Sequence, residues 1–329
     1  MLRWGDTHLS RAVGMVVAAL ALIVCGGALA QPYPVKPVKL VVPFAAGGPI
    51  DVIGRLVAHW LSASLGQQVV VDNRPGASGA IGTRAATAAE PDGHTLLIGS
   101  VTTMATGPLL VRNVGYAPLN DFIPVAALAS TPFALVVAPR LPVRTPQELV
   151  DYARGSPGKL NFGAPVGTLA HLTGELFRLK AGIDFVTIPY KGAATAVTDI
   201  LAGQVDMTFE PTSVLLPHIH DGLVRALGVT GSARSPQLPF VPTMIESGIA
   251  DFTSYSWTGL LAPAGTPMPV VAKLNATVNA GLNSPEMAGN LARLGAEVKG
   301  GTPQAFAEFI AEETRKWAAI IKSSGLKLD

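Results

Sequence analysis

A single cysteine, Cys25, stands in the 329 residues, inside an apolar run near the N-terminus. If that run is removed, the chain has no disulfide and no thiolate, and only its core holds it together. Charge is scarce too. Asp, Glu, Lys and Arg make up 14% of the chain, with a formal net charge of +2. No basic run exists, so no nucleic-acid partner is expected. Beyond the N-terminus no apolar stretch reaches the roughly 20 residues of a membrane span. Aromatics make up only 6%, and the six histidines include His8 in the N-terminal segment. His218 and His220 stand two apart, which puts them on different helix faces, so they read as a solvated helix end rather than a metal site. His59 and His94 read as surface or packing residues. The chain has no G-x-S-x-G elbow and no G-K-[ST] after a glycine loop, and Gly76, Gly79 and Gly82 do not make G-x-G-x-x-G. Ser78, Ser100 and Thr168 lie near loops, but the sequence pairs none of them with a base. No catalytic residue, metal or cofactor is expected.

What the chain does have begins with a leader. Arg3 and Arg11 give residues 1–30 a basic start, an apolar segment follows, and Ala28-Leu29-Ala30 is a small-x-small cleavage site. This predicts export, with Gln31 as the mature N-terminus. An uncleaved anchor, or a lipoprotein built on Leu22-Ile23-Val24-Cys25, fits less well, because Val24 is bulky just before the cysteine. Loss of Arg3, Arg11 and Asp6 changes the net charge from +2 to +1. The remaining 299 residues, rich in Gly and Pro and 49% hydrophobic over the whole chain, suit two globular domains.

The rest is organised around VKLVVPFAAGGPIDVIGRLVAHWLSASL, residues 38–65. An apolar, β-branched run reads as a buried strand, and Pro43 ends it. Ala45-Ala46-Gly47-Gly48 is a small-residue loop, and Pro49 suits a first helical position. Apolar residues then recur at helical spacing until Gly66. Such a turn aims unpaired N–H groups and the helix dipole beyond the strand end, which favours an anion there. An ordinary strand-to-helix turn reads equally well from the loop alone. Gly48 and Gly167 are the positions where an added Cβ is expected to intrude on a bound anion. Strands are predicted at 68–72, 95–99, 133–138, 159–163, 185–189, 205–209, 223–229 and 256–262. Helices are predicted at 80–89, from Thr145-Pro146-Gln147-Glu148 in capping-box form, at 169–180, 193–201, 269–282, 285–294 and 303–322. The alternation of strand and helix predicts parallel α/β architecture, and no internal sequence repeat is present. Ala164–Thr168 forms a second small-residue loop. His171 either faces a ligand or caps its own turn. Asp51 and Asp206 read first as caps of a helix and a loop. Glu210 ends the predicted strand 205–209, where open α/β sheets bind ligands. Trp257 reads as core.

These motifs resemble the substrate-binding proteins of the tripartite tricarboxylate transporter family, the Bug proteins. The resemblance is sharpest at Val41-Val42-Pro43-Phe44-Ala45-Ala46-Gly47-Gly48. It continues through Asp51, Arg55, Val69–Ala77, Pro91–Leu97, Pro157–Asn161, His171–Phe177, Val186–Gly192, Gly203–Asp206 and Gly259–Pro267. It implies a two-lobed periplasmic binding protein of type II-like α/β fold. A leader (1–30) would precede a first lobe (31–131 plus 254–329) and a second (132–253), with crossings near Ser130-Thr131-Pro132 and Thr253-Ser254-Tyr255. It implies capture of a small carboxylate by backbone amides of the two glycine loops, without an arginine clamp. The ligand residues it implies are Phe44, Ala45, Ala46, Gly47, Gly48, Asp51, Gly79, Thr102, Ala164, Gly167, Thr168, His171, Tyr190, Asp206 and Glu210. The expected partner is a membrane permease, and the expected state a monomer in the periplasm. Pro49, Glu210-Pro211 and the apolar Ala164-Pro165-Val166 depart from the family pattern and leave the distal half of the ligand open. An ionised Glu210 would favour a monocarboxylate or an amino or hydroxy acid; a Glu210 turned outward or paired with Lys191 would say nothing. Two readings compete. One is a ligand sensor docking on a receptor or sensor kinase. The other is a secreted α/β hydrolase, which has no recognisable nucleophile–base set to support it.

Overall fold

The computed structural model describes residues 33–326; the predicted leader lies outside the described residues. The strands are β1 (Val38–Val42), β2 (Val69–Asn73), β3 (Thr95–Ser100), β4 (Phe122–Val137), β5 (Asn161–Pro165), β6 (Val186–Tyr190), β7 (Met207–Pro211), β8 (Arg225–Val229), β9 (Tyr255–Pro263) and β10 (Glu297–Gly300). They form one mixed sheet in the order β2-β1-β3-β9-β4-β7-β5-β6, with β8 and β10 also paired to β4. The main helices are α1 (Pro49–Leu65), α2 (Ala80–Thr87), α3 (Gly107–Leu110), α4 (Pro118–Asp121), α5 (Pro146–Gly155), α6 (Leu169–Ala181), α7 (Ala193–Leu201), α8 (Thr212–His220), α9 (Met268–Leu282), α10 (Pro285–Arg293) and α11 (Pro303–Ser324). A 3-10 turn, Ala77–Gly79, precedes α2, and a π-helical turn, Thr102–Thr106, precedes α3.

The predicted strand–loop–helix at the start is present. Pro49 opens α1, Gly66 closes it at φ 70°, and Ile53, Val57 and Leu61 face inward. The capping threonine of α5 also holds: Thr145 Oγ1 accepts the Glu148 N–H at 3.1 Å. The reciprocal bond lands one residue earlier than a capping box requires, with Glu148 Oε2 accepting the Arg144 N–H at 2.7 Å.

Three elements differ from expectation. The predicted strand 133–138 is the second half of β4, which starts eleven residues earlier at Phe122. Pro124 and Pro132 argue against a central strand. The structure accommodates the first with irregular register against β9 between Pro124 and Ala126. Pro132 stands where β4 changes partner: up to it β4 pairs with β9, and from Phe133 on with β7 and β8. The second is β10, a four-residue strand in the gap between the helices predicted at 285–294 and 303–322; it pairs antiparallel with β4. The third is β7, which runs Met207–Pro211 rather than 205–209, so that Glu210 lies within the strand. α8 carries His218 and His220 in its last turn.

The two ends of the sheet share one topology. In the first, β1 lies between β2 and β3 and is parallel to both. In the second, β5 lies between β6 and β7, again parallel to both. In each, the chain leaves the middle strand, builds one flank, then crosses to build the other. The middle strand is therefore the point of reversal, and its carboxyl end opens a crevice.

Candidate functional site

Both glycine loops leave the carboxyl ends of these middle strands. Each is held by a side chain four residues on, in the first turn of the next helix. Gly47 has φ +82°, and its N–H donates to Asp51 Oδ2 at 2.8 Å. Gly167 has φ +78°, and its N–H donates to His171 Nδ1 at 3.1 Å. Three residues beyond each pinning side chain stands a helical glycine. A Cβ at Gly54 would come within 2.9 Å of Val42 Cγ2, and one at Gly174 within 2.2 Å of Phe162 Cε1. The four positions Val42, Gly47, Asp51 and Gly54 thus recur 120 residues later as Phe162, Gly167, His171 and Gly174. The glycine in the helix lets it lie close on the strand, the pinning side chain fixes the loop, and the positive-φ glycine makes the turn. The repeat is geometric; the residues between share too little identity to show it in the sequence.

Asp51 is fully buried, and Arg55 Nε and Asn73 Nδ2 also donate to it, at 2.9 and 2.8 Å. Burial alone would raise its pKa, but the bonds from Arg55, Gly47 and Asn73 outweigh burial and hold it below the usual carboxylate range. Asn73 donates as well to the Phe44 carbonyl, at 3.1 Å. Asp51 is therefore a loop anchor rather than a free ligand group. His171 is buried, and burial lowers its pKa more than the nearby Glu175 raises it. With Nδ1 accepting, the neutral ring carries its proton on Nε2. Of the two readings left open for His171, capping its own turn is the one that the structure shows.

The first-turn N–H groups of α1 and α6 have no intrahelical acceptor. In α1 the N-cap is Gly48, without a side-chain cap, and Pro49 has no N–H to offer. In α6 the Thr168 hydroxyl accepts from His171 N and donates to the Pro165 carbonyl. Ala45, Ala46, Gly47 and Thr168 are exposed, and Phe44, Gly48 and Gly167 half-buried, so both loop surfaces are open to a ligand. Gly48 differs from Gly47 in conformation. Its φ is −76°, and an added Cβ would meet only the Ala45 carbonyl, at 3.5 Å. The conformational need for glycine lies at Gly47.

Gly79, at φ +91°, is buried against the same loop: a Cβ there would lie 3.2 Å from Phe44 Cζ and 2.6 Å from Thr103 Cγ2. The structure thus brings Phe44, Gly79 and the π-helical turn that Thr102 opens to one place. Ala164 is buried in β5. Tyr190, at the end of β6, donates its hydroxyl to Asp199 Oδ2 at 2.6 Å, and burial together with Asp199 pushes its pKa up to about 12. Its ring covers Gly163, where a Cβ would lie 3.1 Å from Cε2. Asp206 leaves the predicted set. It precedes β7 at the amino end, where Oδ1 accepts from Arg140 at 2.7 Å and Oδ2 from the Asn161 N–H at 2.8 Å. It ties strand starts together, at the end of β7 opposite Glu210. The anchors Asn73 and Arg140 were not marked as such by the sequence, because their partners Asp51 and Asp206 are distant along it; Asp199 lies nine residues from Tyr190, but on a helix that only the fold brings back to the end of β6.

Glu210 is 3% exposed. No ion pair joins it to Lys191 or to another described residue, and its Oε1 has no hydrogen-bond partner among the described residues. Burial pushes its pKa up to about 7. The sequence leaves the ionisation of Glu210 open; burial decides it, disfavouring the charge so that the carboxyl is protonated below about 7 and ionised above.

The comparisons with known proteins bear on this arrangement. The pattern of the tripartite tricarboxylate transporter family receptor matches residues 53–326. The chain belongs to this family. BugT of Bordetella pertussis (strain Tohama I) is 37% identical over 324 residues, covering 98% of this chain and 99% of BugT. The structure of R. palustris Rpa4515 with adipate is 38% identical, with a TM-score of 0.76 over 90% of this chain and 99% of that one. MatC of Rhodopseudomonas palustris, with bound malate, is 33% identical, with a TM-score of 0.72 over 88% of this chain and 100% of that one. The fold is therefore that of the family's two-lobed periplasmic binding proteins, and the structural neighbours within the family are solute-binding proteins.

Proposed function

We propose that the protein is a periplasmic receptor that captures a small carboxylate between two lobes and delivers it to the membrane permease of a tripartite tricarboxylate transporter. The observation that carries this reading is the pair of matched glycine loops. Each stands on the middle strand of a β-α-β unit, at a point of reversal, with first-turn amides free of intrahelical acceptors. Backbone amides at helix N-termini hold an anion without a cationic side chain. The lobes on this reading are residues 31–131 plus 254–329 and residues 132–253. The partner exchange of β4 at Pro132 and the start of β9 at Tyr255 fall at those limits. Phe44–Gly48, Gly79 and Thr102 contribute from the first lobe; Ala164, Gly167, Thr168 and the C-terminal end of β7 contribute from the second. Asp51, His171 and Tyr190 act behind them as anchors. The adipate and malate of the related structures suggest the ligand class, and the predicted leader supports export.

Glu210 sets the distal end of the ligand on this reading. Protonated, it donates a hydrogen bond to a second carboxylate; ionised, it repels one and accepts from an amine or hydroxyl. A thermal-shift panel of mono-, di- and tricarboxylates, adipate and malate included, tests the reading. A ligand at a hundredfold its Kd stabilises by about 2.7 kcal/mol. No shift with any carboxylate would overturn it.

A further inference from the structure

Phe240 is 93% exposed, whereas no other large apolar side chain among the described residues exceeds 54%. The loop that presents it is braced on both sides. Leu238, two residues before, is buried in the core beside Val197 and Leu215, and Val241, the next residue, packs against the same core. Two turns hold the backbone: the Leu238 N–H donates to the Ser235 carbonyl at 2.9 Å, and the Val241 N–H to the Leu238 carbonyl at 3.0 Å. Arg234 Nη1 donates to the Pro239 carbonyl at 3.2 Å, and Pro239 and Pro242 restrict the chain around the ring. Gln237 Nε2 donates to the Ala292 carbonyl of α10 at 3.0 Å, so the loop is fastened to residues on both sides of the crossing. The fold thus spends a stiff, well-bonded loop on holding an aromatic ring in water, a placement that contributes nothing to its own core.

We propose that Phe240 is the anchor by which the protein docks on its membrane permease, seated in a neutral apolar pocket on the permease's periplasmic surface. This rests on the reading above, which supplies the permease and the two lobes. Charge favours such a pocket. Arg234 and Glu246 are the only charged residues of 230–250, and they pair with each other at 2.9 Å, so the loop offers no free cation to an anionic lipid surface. Area argues against a standing dimer of this chain. A phenylalanine buries about 150–250 Å², against about 800 Å² per partner in a stable interface. One preordered aromatic suits a contact that forms and breaks with each delivery, because a rigid anchor loses little entropy on docking and a few such residues carry most of the binding energy. Because the loop is fastened to both lobes, a partner seated on it meets a surface that depends on how the lobes are arranged.

Site-directed photocrosslinking tests the assignment. Phe240→Cys places the sole cysteine in the predicted exported chain, since Cys25 lies in the leader. The purified protein, labelled there with a benzophenone maleimide and illuminated with membrane vesicles from cells that express the transporter, should form an adduct with a permease subunit, identified by mass spectrometry. The same label at Val70→Cys, on β2, should not. Phe240→Ser should keep the wild-type melting temperature and its affinity for adipate or malate within twofold, and should cut uptake of that carboxylate at least tenfold. Adducts only with a second copy, with lipid or with another protein, no adduct at all, or undiminished uptake in Phe240→Ser would each overturn the proposal. The crosslink needs no transport, so a protein that forms the permease adduct but binds no carboxylate in the thermal-shift panel would overturn the ligand reading and leave this surface standing.

Discussion

Gly47 and Gly167 carry the sharpest residue-scale expectation. Both sit at positive φ, and both amides are committed to an anchor, so a β-branched side chain strains the turn and breaks its geometry. Gly47→Val and Gly167→Val should each abolish carboxylate binding in calorimetry, with circular dichroism retained. Gly48→Val, at ordinary dihedrals, should cost less than either. Equal losses at Gly47 and Gly48 would contradict this. Glu210 gives a pH dependence of definite sign. Its folded pKa, about 7, stands above the ordinary glutamate value of 4.5. The folded state therefore holds the extra proton, and stability is greatest below about 4.5 and falls as pH rises through 7. Glu210→Gln should remove that decline. In the wild type, preference for dicarboxylates over monocarboxylates of similar length should fall between pH 6 and 8. Denaturant titrations and competition binding across that range check both. His171 works in the opposite direction. Its folded pKa lies below 6.5, so its contribution is present above 6.5 and is lost as pH falls. Protonation of Nδ1 ends its acceptance from Gly167, so carboxylate affinity should drop on acidification, and His171→Gln should flatten that limb.

At the scale of elements, the close approach of helix to strand explains the two helical glycines. Gly174→Ala drives a methyl into the ring of fully buried Phe162, so a loss of about 1–3 kcal/mol is expected from overpacking. Gly54→Ala crowds the tip of Val42, at 2.9 Å, and makes an ordinary contact with Ile98 Cγ1 at 3.5 Å, so it should cost less. Chemical denaturation of the two variants orders them. Helices with punctuation were legible from sequence: α1 from Pro49 to Gly66, α7, and α9 to α11 to within a residue or two. Elements whose existence depends on distant partners were not. β10 is four residues long and is a strand only because β4 presents an edge to it. The first half of β4 carries two prolines and much alanine, and only pairing with β9 makes it a strand. Glu148 illustrates the same limit on a smaller scale: its spacing from Thr145 was readable, but the amide it reached was not.

For the whole molecule, the crossing is the part most exposed to a single change. Thr230 is fully buried where both connecting strands enter the second half of the sheet. Its hydroxyl accepts the Phe133 N–H at 2.8 Å and donates to the Ser254 carbonyl, and its backbone bonds both neighbours again. Thr230→Val keeps the shape but orphans two buried groups, each worth about 1–3 kcal/mol, so a loss of about 2–4 kcal/mol in denaturation is expected. A second hub, Glu313, accepts from the indole N–H groups of Trp257 and Trp317 and pairs with Lys316. The sequence by itself determined the alternation of strand and helix, the two glycine loops, the capped helices and the family pattern, because these rest on short-range periodicity, turn chemistry and local motifs. Tertiary structure alone decided that each loop crowns a middle strand, that Asp206 stands at the far end from Glu210, and that Glu210 is buried with no hydrogen-bond partner for its Oε1 among the described residues. Strand order, burial and desolvation arise from contacts between residues well separated along the chain, and no local pattern encodes them.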